Sequence, residues 1–320
     1  MRILITGGAG FIGSNLTEEI LKDARVTSVR VLDNFSTGSR DNILHFFQDP
    51  KFEFIEGDIR DYSTCYNACD GIDLISHQAA LGSVPRSVND PLTTNSVNIT
   101  GTLNIFTAAR EKKIKRIVYA ASSSTYGDHP GLPKVEDKTG KPLSPYAVTK
   151  LVNELYAGVY SGLYGMEMIG LRYFNIFGPR QDPGGPYAAV VPLFIDAVLN
   201  NKAPVINGDG LHSRDFTYVD NAVQANLLSL FTQNQEAVNQ VYNIACGEQT
   251  SLNELFEAVR KEADSNLKPI YGPERKGDVK HSVADISKAG KLLGYFPGVT
   301  IQSGLKRTIA WYREMQTTRQ

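Results

Sequence analysis

Residues 2–13, RILITGGAGFIG, decide the fold. The first five form a short apolar run rich in β-branched residues, the pattern of a buried strand. Glycines then stand at positions 7, 10 and 13, and SNLTEEILKD (14–23) continues at helical period. A strand that turns through glycines directly into a helix opens a dinucleotide-binding unit. Gly7 allows the tight turn, Gly10 lets backbone approach a pyrophosphate, and Gly13 permits close packing of helix on sheet. The helix N-terminus offers unpaired N–H groups and a positive dipole to the phosphates. VRVLD (29–33) then ends in Asp33. A carboxylate there accepts from a ribose 2′-hydroxyl and repels a 2′-phosphate, so NAD is expected rather than NADP. Asp58, in EGDIR (56–60), is expected at the end of the third strand, within reach of the adenine; an acid there also serves as a helix cap.

Strand-type runs recur at FEFIE (52–56), IDLIS (72–76), RIVYA (116–120), EMIGLRYF (167–174) and QVYNIA (240–245), with helix-period segments between them. Such alternation predicts an α/β fold, a doubly wound parallel sheet covered on both faces. The stretch 179–214 carries GPRQDPGGPY and INGDGLHSRD and is read as loop beside the strand ends, where ligands bind in open α/β sheets. The chain is expected to divide into a dinucleotide-binding domain over 1–175 and 215–246, and a smaller mixed α/β substrate-binding lobe over 176–214 and 247–320.

With 320 residues, 42% apolar and 21% charged, the composition is that of an ordinary globular protein. A net charge of −1 argues against a general nucleic-acid or anionic-membrane surface, so anionic ligands need local cations. Three scattered cysteines, Cys65, Cys69 and Cys246, suggest neither a disulfide framework nor a metal site. The N-terminus lacks a signal-peptide h-region, and no run of 18 apolar residues occurs, so a cytoplasmic location is expected.

YAASSSTYG (119–127) clusters hydroxyls at the end of the fifth strand, and LSPYAVTK (143–150) places Tyr146 and Lys150 one helical turn apart behind a Ser144 cap and Pro145. Alone, the second stretch is an ordinary helix start with an i,i+4 pair on one face. Beside a dinucleotide site it has another meaning. A free tyrosine titrates near ~10, too high for a base at neutral pH. Positive charge from Lys150 and a nicotinamide cation would stabilise the phenolate, and Ser122 could hold or relay the proton. The implied chemistry removes a hydroxyl proton while hydride leaves the same carbon.

The glycine loop, Asp33, Ser122, Tyr146 and Lys150 resemble the extended short-chain dehydrogenase/reductases, the NAD-dependent epimerase/dehydratase family, over essentially the whole chain. HQAALGSVPRSVNDP (77–91), AASSSTYGDHPGLPKVED (120–137) and LRYFNIFGPRQDP (171–183) are most similar to the UDP-N-acetylglucosamine 4-epimerases among them. The resemblance implies catalysis by Ser122, Tyr146 and Lys150, with NAD tightly bound and recycled. It implies cofactor contacts from His77, Gln78, Ala79, Ala80, Asn98 and Tyr173, with Phe11, Ile12, Asn34 and Ile59 completing that set. A UDP-sugar would meet Arg214 and Arg275 at its pyrophosphate and Asp278 at its ribose. Asn175, Gly82, Ser83 and Gln181 would face the sugar, with Ser123, Val190 and Asn207 also on that side. In the family pattern, the position of Ser282 walls the pocket beside the sugar's 2-substituent. A small residue there leaves room for an N-acetyl group. The family's dehydratases and decarboxylases carry acids after the strand-five hydroxyl, whereas this chain has Ser123, Ser124 and Thr125. Epimerisation at C4 is therefore expected, with a 4,6-dehydratase or a non-catalytic NAD-sensing protein as the alternatives. A homodimer through a four-helix bundle is also implied, using helices near 91–112 and 145–164.

Overall fold

The computed structural model describes residues 1–185, 187–274 and 280–318. Among them, seven strands form one parallel sheet: β1 (Arg2–Thr6), β2 (Ser28–Asp33), β3 (Phe52–Glu56), β4 (Leu74–His77), β5 (Arg116–Ser122), β6 (Glu167–Tyr173) and β7 (Gln240–Ile244). Their order across the sheet is β7-β6-β5-β4-β1-β2-β3. The direction of winding reverses between β1 and β4, which opens a crevice at the strand C-termini there. Register sets what lines that edge. Thr6 pairs with His77, and Ser122 pairs with Tyr173, so the two end residues of β5 and β6 are neighbours.

Alternation along the strands feeds two cores, as burial on both faces requires. Ile3, Ile5, Val29, Val31 and Ile169 pack with α1 (Phe11–Lys22) on one face. Leu4, Leu32, Ile75, Ile117 and Met168 pack on the other, against α2 (Tyr62–Ala68). After β4 come α3 (Val84–Asn89), α4 (Pro91–Asn95), a π-helical turn over Ser96–Gly101, α5 (Thr102–Glu111) and, after β5, α6 (Pro145–Tyr164). The wide turn seats Asn98 against Leu81: its Oδ1 accepts from the Leu81 N–H at 2.8 Å and its Nδ2 donates to the Leu81 carbonyl at 3.1 Å. The chain continues through α7 (Val190–Leu199), α8 (Val219–Phe231), α9 (Leu252–Glu262), α10 (Ser287–Leu293) and α11 (Ile301–Thr318). Short strand pairs join Ile176–Phe177 to Thr217–Tyr218, Ser213–Arg214 to Thr250–Ser251, and Val205–Asn207 to Ile270–Gly272. No helix among the described residues is long and apolar enough to cross a membrane.

Three local expectations are corrected. The stretch 179–214 is not all loop: VVPLFIDAVL folds as α7, because Pro192 sits in the first turn, where its missing N–H serves no intrahelical bond. β4 starts at Leu74 rather than residue 72, since the Asp73 carboxylate takes the Arg2 N–H at 2.7 Å. β3 stops at Glu56, leaving Asp58 in the following loop, and it is Asp61 that caps α2 by accepting from the Ser63 N–H.

Candidate active site

A cavity of about 530 Å³ opens at the crevice. Its near wall is the glycine loop. Gly7 has φ +72, and a Cβ there would lie 2.6 Å from the Ala79 nitrogen; a Cβ on Gly13 would lie 2.1 Å from the Gly7 carbonyl oxygen. Neither position admits a side chain. Gly10 caps α1 without a side-chain bond, so the N–H groups of the first turn are left for a ligand at the cavity face formed by Gly10, Phe11, Ile12 and Gly13. A diphosphate fits this cradle.

Asp33 ends β2 with one carboxylate oxygen on the Ala9 N–H at 2.9 Å and the other on the Phe35 N–H at 2.8 Å. These bonds lock it to the loop, while burial raises its pKa against several backbone donors. Its remaining lone pairs can take hydroxyl donors from the cavity it lines. Asn34, Asp58 and Ile59 line the same end, with the Asn34 amide donating to Asp58 at 2.9 Å. Arg60 holds the Asp58 carboxyl below its usual range.

At the other end stand Ser122, Ser123, Tyr146, Lys150 and Tyr173. Ser144 caps α6 through the Ala147 N–H at 3.1 Å, which fixes the turn that presents Tyr146 and Lys150. The Lys150 ammonium donates to the Ala120 carbonyl at 2.7 Å and lies 5.9 Å from the Tyr146 ring centre. Burial lowers the lysine to about 8, with Glu154 opposing. Burial raises the Tyr146 phenol, and only the Ser122 hydroxyl acts against it. The sequence expectation set two positive charges against this burial, Lys150 and a nicotinamide cation. The Ser122 hydroxyl accepts from the Ser124 N–H at 3.1 Å and from the Ser124 hydroxyl at 2.9 Å. Among the described lining residues the carboxylates are Asp33 and Asp58, both at the β2–β3 end.

Gln78, Ala79, Ala80, Gly82, Ser83, Asn175 and Gln181 also line the cavity. Ser83 and Asn175 take left-handed backbone, at φ +92 and +39. Other expected contacts lie off the wall. His77 is buried between the Thr6 and Thr102 hydroxyls at 2.7 and 2.9 Å, and burial lowers it to about 3. The Asn98 amide is used on Leu81 and Thr149, so it shapes the 79–82 loop rather than facing the cavity. Val190 begins α7, and Asn207 ends a short strand. Arg214 donates to the Ser213 and Lys280 carbonyls, and the Ser282 N–H donates to the Ser213 carbonyl at 3.2 Å. Arg275 and Asp278 lie outside the described residues.

Two groups escaped the sequence reading. Asn226, fully buried on α8, donates to the Tyr173 hydroxyl at 2.7 Å. Asp215, also fully buried, accepts from the N–H groups of Cys246, Gly247 and Ala284 at 2.9, 3.0 and 3.2 Å. For Asn226, the available signal was a polar residue on the inward face of an apolar helix.

The chain matches the NAD dependent epimerase/dehydratase family over residues 3–245. It is 40% identical over 319 residues to a putative UDP-glucose 4-epimerase of Methanocaldococcus jannaschii, covering 99% of this chain and 100% of that one. Among solved structures it is similar to a UDP-N-acetylglucosamine 4-epimerase from Methanobrevibacter ruminantium in complex with UDP-N-acetylmuramic acid, at 38% identity and TM-score 0.92, with 98% of each chain covered. It is also similar to a UDP-glucose 4-epimerase from Thermotoga maritima with UDP-glucose, at 34% identity and TM-score 0.92, covering 99% and 100%. The chain therefore belongs to the NAD-dependent epimerase/dehydratase family.

Proposed function

We propose that the protein is a UDP-sugar 4-epimerase that interconverts UDP-N-acetylglucosamine and UDP-N-acetylgalactosamine. One observation carries the choice of reaction. The reacting end of the cavity presents hydroxyls, a phenol and an ammonium, while the lining carboxylates stand at the opposite end. Elimination needs an acid for the leaving hydroxyl, and Ser123 and Ser124 occupy the positions after Ser122 where the family's dehydratases place one.

NAD, the family's cofactor, would supply a reversible hydride acceptor and a positive charge that adds to that of Lys150 near Tyr146. Tyr146 takes the proton of the sugar's 4-hydroxyl, and Ser122 holds that oxygen in line. With NAD as hydride acceptor, C4 would be oxidised to a ketone and, once the ketosugar had turned over, reduced again on its opposite face; Tyr146 holds the proton between the two steps and gives it back to the C4 oxygen. Lys150 fixes the charge beside the phenol. Asp33 takes the adenosine ribose hydroxyls, and the α1 N-terminus takes the dinucleotide phosphates. The segments 176–214 and 247–320 hold the uridine diphosphate, through Arg214 and Arg275 at the pyrophosphate and Asp278 at the ribose. Asn175, Gln181, Gly82 and Ser83 border the hexose, and Ser282 leaves room for the acetamido group.

A second copy of the chain pairs along α6. Val148, Leu155, Val159 and Leu163 form an exposed apolar stripe there, with Leu155 62% and Leu163 71% exposed, and Leu92 of neighbouring α4 is 82% exposed. Side-by-side initial rates on UDP-GlcNAc, UDP-Glc and UDP-glucuronic acid, with products identified by chromatography, test the assignment. The 4-epimer of the acetamido sugar is expected, at the highest kcat/KM of the three. A 4-keto-6-deoxy product, or no turnover by NAD-loaded protein, would reject it.

A further inference from the structure

The hydrogen bonds behind Tyr173 and Gln78 have a direction, and that direction is set at a distance from the cavity. The Ala222 carbonyl of α8 can only accept, and Asn226 approaches it at 2.8 Å, so the amide nitrogen of Asn226 must face that way. Its second N–H then goes to the Tyr173 hydroxyl at 2.7 Å. The Asn226 carbonyl oxygen faces Ser76 and Gln78 and accepts from them at 3.2 and 3.0 Å. Gln78 therefore presents its nitrogen inward, also donating to the Ser76 hydroxyl at 2.9 Å. Its carbonyl oxygen is left for the Tyr173 hydroxyl, 3.1 Å away. Every N–H and O–H of these four side chains is thereby used inside the network. Toward the cavity, Gln78 and Tyr173 have only oxygen lone pairs to offer. Burial raises the Tyr173 phenol to about 12, so it keeps its proton at neutral pH.

We infer that Asn226 is a positioning residue that holds Gln78 and Tyr173 as an acceptor-only wall, and that this wall favours the oxidised, positively charged nicotinamide over the reduced, neutral one. Tyr173 is the register neighbour of Ser122, which places the wall at the reacting end. Oxygen dipoles turned toward a pyridinium ring stabilise it, whereas a Gln78 amide turned the other way would aim N–H groups at the same charge. The wall also offsets the Lys150 ammonium, which disfavours a second cation nearby. The residues at this end fit a nicotinamide whose carboxamide needs acceptors for its N–H groups.

The test compares the two redox forms and does not depend on the sugar. Holoenzyme is dialysed to equilibrium against equal, saturating NAD and NADH and gel-filtered, and the released cofactors are counted by absorbance. Asn226→Leu unlocks the Gln78 amide, and the bound NAD-to-NADH ratio should fall at least threefold relative to wild type. Tyr173→Phe, which leaves Asn226 and Gln78 in contact, should shift the ratio the same way by less. Adding Gln78→Leu to Asn226→Leu removes the mis-turned donor and should restore part of the ratio, which a merely structural role for Asn226 would not do. If Asn226→Leu fails to fold, Tyr173→Phe alone decides. A ratio within experimental error of wild type in each folded variant would overturn the proposal.

Discussion

Tyr146 is where the site depends most on a single atom. Tyr146→Phe keeps the ring and leaves the glycine loop and Asp33 untouched, so NAD content should be unchanged while turnover falls about 10²–10⁴-fold, the usual loss for a positioned base. Rates with cofactor content measured on the same sample check both halves; near-normal turnover would remove Tyr146 from the reaction. On the proposed reading, Ser282 sets substrate choice. Ser282→Tyr should abolish turnover of UDP-GlcNAc by sterics while sparing UDP-Gal, since the group at Tyr146 is intact. The kcat/KM values for both substrates decide, and equal handling of UDP-GlcNAc by variant and wild type would show that Ser282 is no gate. The cavity-lining residues of the glycine loop and of α6 were legible in the sequence because their constraints are local. Gly7, Gly13 and Asp33 sit within one strand–turn–helix–strand unit, and Tyr146 and Lys150 within one turn of α6. Asn226 and Asp215 were not legible. Asn226 meets Ser76 across 150 positions and Asp215 meets Ala284 across 69, and only the folded chain brings those pairs together.

At the scale of elements, the sheet strands follow from apolar runs bounded by turns, and the misreadings lie where a local rule was overridden. The proline- and glycine-rich runs on either side led 190–199 to be read as loop, yet VVPLFIDAVL between them is a helix whose Pro192 sits harmlessly in the first turn. Asp215 shows how elements are tied near the candidate site. It joins the strand Ser213–Arg214 to the loop after β7 and to the segment at Ala284, and its carbonyl accepts from Asn175 at 3.1 Å. Burial raises its carboxyl from 3.8 to about 6. Between about pH 4 and 6 the native state therefore keeps a proton that the unfolded chain has released. The stability linked to that proton is full below pH 4 and is lost as pH rises through 6, by up to about 3 kcal/mol at about 1.4 kcal/mol per pH unit. In Asp215→Asn this loss is absent. Relative to wild type, the variant should gain up to about 3 kcal/mol on going from pH 4 to pH 7, read by denaturant unfolding at a series of pH values. Parallel profiles would mean that Asp215 ionises like an exposed acid.

For the whole molecule, the stripe on α6 predicts an assembly. Leu155→Glu with Leu163→Glu places charge on exposed helix positions, which a monomer tolerates with little change in stability. If two copies meet there, sedimentation should show wild-type dimer becoming variant monomer; an unchanged mass would exclude that face. Helix α2, which packs into the same core as α6, carries a different kind of information. Cys65 and Cys69 are fully buried on and just after α2, with their thiols pushed up to about 12, and the Cys65 thiol donates to the carbonyl of Ile59, a cavity-lining residue. The pair is a built-in clock. A thiol-alkylating reagent can reach Cys65 and Cys69 only in the moments when α2 lifts from the sheet, so their modification rate counts openings of the dinucleotide half of the molecule. Saturating NAD, by holding Ile59 against the cavity, should slow that clock in proportion to its occupancy, and mass spectrometry of timed samples would read cofactor loading as lost ticks.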